Sequence, residues 1–86
     1  MERRTGGAAP VIRLTGLPAV TRCPHVVVTG HEDRIEIVFS GAGHVVEMDV
    51  DHRFLGGADP EAEELRLLAR LAEMGYRVTR APGPVA

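Results

Sequence analysis

Aromatic rings are scarce in this 86-residue chain: it has two Phe, one Tyr and no Trp. Phe39, Phe54 and Tyr76 are the whole set, so Val, Leu, Ile and Met must fill most of the interior. The shortage argues against a reader of single-stranded nucleic acid, which needs exposed rings for bases to stack on. Lys, Asn and Gln are missing, and every basic residue is Arg. That bias is the mark of a GC-rich genome, bacterial or phage. The formal net charge is -2, so no strongly basic field draws in phosphate. The single cysteine, Cys23, excludes an intrachain disulfide. No apolar run approaches the about 20 residues of a membrane span. The opening Met1-Glu2-Arg3-Arg4 runs into Gly and Ala rather than into the apolar stretch of a secretory signal. The expectation is a cytoplasmic protein with no membrane attachment.

With 44% hydrophobic and 26% charged residues, the chain has an ordinary globular composition. Its length suits one domain with one core. A domain this small buries a limited share of its surface, so a homodimer or a bound partner would supplement its stability. Residues 1–10 read as a flexible leader, 11–80 as a single α+β domain and 81–86 as a flexible tail.

Val11–Thr15 reads as a short strand that Gly16-Leu17-Pro18 breaks. His25–Thr29 is a β-branched run that suits a strand covered on both faces. Ile35, Ile37 and Phe39 alternate with Arg34, Glu36 and Val38; Val46, Met48 and Val50 alternate with Val45, Glu47, Asp49 and Asp51. Gly41 at the first central position of the intervening turn suits a type II′ hairpin. That register pairs Phe39 with His44, Ile37 with Val46 and Ile35 with Met48. Asp59 is placed as an N-cap and Pro60 as the first residue of a long helix. Gly75 is placed to end it. Leu65, Leu68, Ala69 and Ala72 form its apolar stripe, widened by Leu67, Leu71 and Met74, with Glu63–Arg66 and Arg70–Glu73 pairs on the wet side. Tyr76–Arg80 reads as a last strand. The expected order is β-β-β-β-α-β: a two-layer α+β fold, with an antiparallel sheet of four to five strands and one helix packed on one face.

One sheet face is then left without a helix. On it the pattern places an acidic row, Glu36, Glu47, Asp49 and Asp51, with Val38 facing Val45 as an apolar strip. Like charges opposed across strands are mildly destabilising. Such a row is a solvated surface at its plainest and a seat for a basic protein partner at its most specific. Carboxylates splayed along a flat sheet seldom converge on a metal. Cys23, His25, His31, His44 and His52 lack zinc-site spacing. Cys23 has no orienting group or oxyanion hole around it that would make it a nucleophile. Gly56-Gly57 precedes a helix that opens with carboxylates, which repel phosphate; these glycines read as turn residues.

No catalytic residue, metal or cofactor is therefore expected. The expected function is a non-catalytic, protein-binding accessory or regulatory module acting through an open sheet face or edge. Its candidate contacts are Glu36, Val38, Val45, Glu47, Asp49 and Asp51. The same acidic face suits a phage-encoded inhibitor of a bacterial defence or nucleic-acid-processing protein. A third reading, a nucleic-acid binder, requires Arg13, Arg22, Arg53, Arg77 and Arg80 to gather on one side.

Overall fold

The computed structural model describes residues 11–81. The expected leader, and all of the expected tail but Ala81, lie outside the described residues. Four strands, β1 (His25–Gly30), β2 (Arg34–Gly41), β3 (His44–Asp51) and β4 (Arg77–Ala81), form one sheet in the order β3-β2-β1-β4. One helix, α1 (Pro60–Glu73), packs on one face, and a short 3-10 turn, His52–Leu55, follows β3. This is the expected α+β arrangement of a single helix on a sheet.

The sheet is mixed rather than wholly antiparallel. β2 runs antiparallel to both β1 and β3, but β4 lies parallel to β1. The reason is one of direction. After β3 the chain points the same way as β1, α1 carries it back, and β4 must run forward again beside β1.

Val11–Thr15 is not a strand. Residues 11–24 instead form an irregular segment that lays Ile12 and Cys23 into the core and packs Leu14, Leu17 and Val20 against it. Its backbone groups find partners outside any ladder. Arg70 Nη1 donates to the Ile12 carbonyl at 2.6 Å, the Tyr76 hydroxyl donates to that of Pro18, and Arg77 N–H donates to that of Pro24 at 2.7 Å. These contacts satisfy buried polar groups that a strand would have paired with a neighbour.

The β2–β3 hairpin is displaced by two residues from the expected register. Gly41 pairs with His44, Phe39 with Val46, Ile37 with Met48 and Ile35 with Val50. Ala42 and Gly43, with φ of 49° and 81°, are the central pair of the turn, and two positive φ angles match type I′. On the face toward the helix the observed ladder matches three apolar pairs where the expected one matched two. It also puts Ala42 in a region that disfavours a Cβ by about 1–2 kcal/mol. Replacing the exposed Ala42 with Asn is accordingly expected to stabilise the domain by about 1 kcal/mol. A raised midpoint in denaturant at unchanged m-value would show this, and an unchanged midpoint would contradict it. Gly41 is required for a different reason: a Cβ there would lie 2.4 Å from Pro24 Cδ.

Asp59 caps α1 by accepting from Glu61 N–H at 3.2 Å, and Pro60 occupies the first turn. The Tyr76 N–H returns to the Leu71 carbonyl across Gly75, whose φ is 103°, an arrangement that closes the C-terminal turn. Only part of the expected apolar face of the helix is buried: Leu67 and Leu71, with Leu68 beside them. Leu67 and Leu71 are fully buried along with Glu63 and Glu64, whereas Leu65, Ala69 and Ala72 are exposed. Glu63 pairs with Arg66 as expected, but as a buried side chain rather than on the wet side. The uncharged stripe is the more exposed one, and both glutamates on the buried stripe have arginine partners.

The core centres on Val26, Val28, Ile35, Ile37, Phe39, Leu55, Leu67, Leu71 and Tyr76. The Tyr76 and Phe39 rings meet edge to face with centroids 5.1 Å apart. Burial pushes the Tyr76 hydroxyl above the ordinary tyrosine range. Its contribution to stability is therefore complete below the unfolded value of about 10 and is lost as pH rises through the folded one. Tyr76→Phe is expected to cost about 1–2 kcal/mol at neutral pH by leaving the Pro18 carbonyl unpartnered, and to remove the alkaline loss. Equal alkaline slopes in the two proteins would refute the assignment.

Candidate functional site

Because Val26, Val28, Ile35, Ile37 and Phe39 point toward α1, their alternate neighbours share the opposite face. The paired positions define rows across it. One row is Thr79, Val27, Val38 and Glu47; the next is Ala81, Thr29, Glu36 and Asp49; at one end lie Arg77, His25, Ser40 and Val45. No described element covers this face. The six expected contact residues, Glu36, Val38, Val45, Glu47, Asp49 and Asp51, all stand on it.

A two-residue displacement of the hairpin preserves the faces, because side chains alternate with a period of two. The neighbours within the face do change. Val38 lies opposite Glu47 rather than Val45, Val45 lies opposite Ser40, and Glu36 faces Asp49. The apolar residues are therefore not one cross-strand pair. Val27 and Val38 sit half-buried at the centre, and Val45 stands 63% exposed on the outer strand.

The charges are partly matched. Arg34 reaches Asp49 at 3.4 Å and Asp33 at 3.0 Å, and His31 Nε2 lies 3.1 Å from Glu36 Oε1. Asp51 accepts from the Arg53 backbone N–H at 2.8 Å and from its guanidinium at 3.2 Å. These bonds, the backbone one first, hold its carboxyl below the usual carboxylate range. Glu47 has no ion-pair partner among the described residues.

The histidines separate into two places. His25 and His44 stand at the end of the sheet where β1 and β3 begin, while His31 and His52 lie at the other end. Nε2 of His52 is buried without a hydrogen-bond partner among the described residues. Cys23 is fully buried, and no three His, Cys, Asp or Glu side chains gather as a metal site among the described residues. No described helix is long and apolar enough to cross a membrane.

The arginines do not gather. Arg80 pairs with Glu64 and Glu61, and Arg53 pairs with Asp51, while Arg22 and Arg77 lie at the opposite end of the sheet. Beside the start of β3, Arg22, Leu17, Pro18, His44 and Val46 line an open cavity of about 430 Å³. Sequence reading did not anticipate that Thr29 and Thr79 complete the uncovered face. Their membership depends on strand order, for which a single chain carries no local signal.

The chain matches no protein-family model, no curated protein and no solved structure.

Proposed function

We propose that the protein is a non-catalytic binding module that docks a protein partner on the uncovered sheet face. The observation that supports this reading is the composition of that face. A half-buried apolar centre, Val27 and Val38, is bordered by Glu36, Glu47, Asp49 and Asp51. An apolar centre with a charged rim is the usual anatomy of a protein-recognition surface. The carboxylates outnumber the arginines beside them, so the matching partner presents basic residues around an apolar contact. The acidic rim also supports a second reading, in which the partner is a nucleic-acid-processing protein that the module inhibits.

Capture of partners from a lysate of the source organism, with and without nuclease, tests the proposal. The expected result is a nuclease-resistant protein whose affinity falls at least about tenfold when Glu47 and Asp49 are both replaced by Arg. Unchanged affinity in that variant would exclude this face. A signal abolished by nuclease would replace the protein-binding reading with a nucleic-acid one.

A further inference from the structure

We propose that β3 is a self-pairing edge. Two copies of the chain join β3 to β3 antiparallel about a two-fold axis at Val46, and the two sheets become one. This assignment concerns the outer edge of the sheet and does not rest on the binding role of its face.

β3 is the outer strand on its side of the sheet and spans eight residues. Long outer strands are open to pairing unless charge, Pro or a bulge blunts them. Here the protection is uneven. Glu47, Asp49 and Asp51 guard the second half, whereas His44, Val45 and Val46 carry no carboxylate. Val45 and Val46 are 63% and 37% exposed on opposite faces. The tight hairpin makes Gly41 and His44 the pair that flanks the turn. Alternation along an antiparallel ladder then aims the backbone groups of Val46 and Met48 at β2, and those of Val45, Glu47 and Asp49 outward.

The charge pattern selects the register. A two-fold pairing that keeps both helices on one side must centre on a residue. Centring on Glu47 sets that carboxylate against itself, and centring on Met48 sets Glu47 against Asp49. Centring on Asp49 or Val50 opposes carboxylates again. Each arrangement is disfavoured by like charges directly opposed. Centring on Val45 pushes Glu47 against the turn residue Gly43 and shortens the ladder. Centring on Val46 pairs Val46 with Val46, Val45 with Glu47 and His44 with Met48, with no carboxylate facing another. It also places Glu47 and Asp49 of each copy beside Val45 and Gly43 of the other, on the uncovered face.

Sedimentation equilibrium and cysteine cross-linking of the full chain test the assignment together. The unaltered protein is expected to show a mass rising with concentration from 9.3 kDa toward twice that value, and Val45→Glu, which sets a carboxylate opposite Glu47 of the second copy, is expected to weaken the dimer about tenfold. Val46 forms a non-hydrogen-bonded pair across the axis, where Cα atoms approach within disulfide range. Val46→Cys is therefore expected to form a covalent dimer with oxidised glutathione much faster than Met48→Cys, while the fully buried Cys23 stays reduced. A monomer at every concentration, including one that captures an unrelated protein, would overturn the proposal. So would cross-linking of Met48→Cys in preference to Val46→Cys. Should a cysteine variant fail to fold, sedimentation of the unaltered chain decides.

Discussion

Phe39→Ala is expected to cost about 3–5 kcal/mol. The Phe39 side chain has no exposed surface. Its ring sits midway across the sheet, between Val26 on β1 and Val46 on β3, and meets the edge of Tyr76. Truncation removes the transfer energy of the ring, the aromatic contact and the packing of every neighbour that touched it. The other Phe, Phe54, is 73% exposed on the turn after β3. A chain of this length has a total stability of about 4–13 kcal/mol, so the variant loses a large share of it. Phe54→Ala is the matched control and is expected to change stability by less than about 0.5 kcal/mol. Denaturant titration of both variants checks the pair. A Phe39→Ala protein within about 1 kcal/mol of the parent would mean that the core does not pack around this ring.

Arg80→Ala is expected to have the next largest effect. Glu64 is buried on the underside of α1, where its carboxylate lies over Gly30 so closely that a Cβ there would fall 2.5 Å from Oε1. Arg80 Nε donates to Glu64 Oε2 at 2.7 Å, and its Nη2 lies 3.6 Å from Glu61. Hydrogen bonding and attraction to Glu64 raise the Arg80 guanidinium further above its already high range. It therefore stays charged until pH rises past any range in which the protein is handled. Removing Arg80 strands a desolvated carboxylate, which in a fully buried pair costs about 3–5 kcal/mol. Arg80 is 41% exposed, so solvent screens part of that loss, and Arg80→Ala is expected to destabilise the domain by less than a fully buried pair would and by more than Glu64→Gln does. Glu64→Gln keeps the shape and an acceptor for Arg80 while removing the buried charge, and is expected to cost about 1 kcal/mol. A double-mutant cycle over both positions measures the coupling. If Arg80→Ala proves no worse than Glu64→Gln, the burial of Glu64 does not depend on its partner.

The candidate surface was legible in the chain to an unusual degree, and the reason is arithmetic. Ile35, Ile37 and Phe39 belong to one face and Glu36 and Val38 to the other in any register that shifts by two. An error in the turn therefore moved neighbours without moving a side chain across the sheet. The hairpin position itself was harder to read. Ser40-Gly41-Ala42-Gly43 offers two turns, and the one adopted puts Ala in a disfavoured conformation so that Val50 can join Ile35. Local turn chemistry favoured one answer and cross-strand packing the other. On the helix, the stripe through Leu65, Leu68, Ala69 and Ala72 is more apolar than the one through Glu63, Glu64, Leu67 and Leu71. Choosing the stripe without charge picks the wrong side.

The division between the two kinds of information follows the range of the interactions. Helix caps are settled within a few residues. Asp59-Pro60 opens the helix and Gly75 closes it, and alternation assigns each strand residue to a face, because steric limits on neighbouring peptides and the two periodicities of the backbone act locally. Strand order, the parallel placement of β4 beside β1, the path of residues 11–24 and the seating of Glu64 beneath Arg80 arise from groups far apart in the chain. Their energies exist only once the core has formed and water has left it. A carboxylate is a surface residue until a folded structure brings a guanidinium to it, and an apolar alanine is a core residue until the helix turns a different side to the sheet.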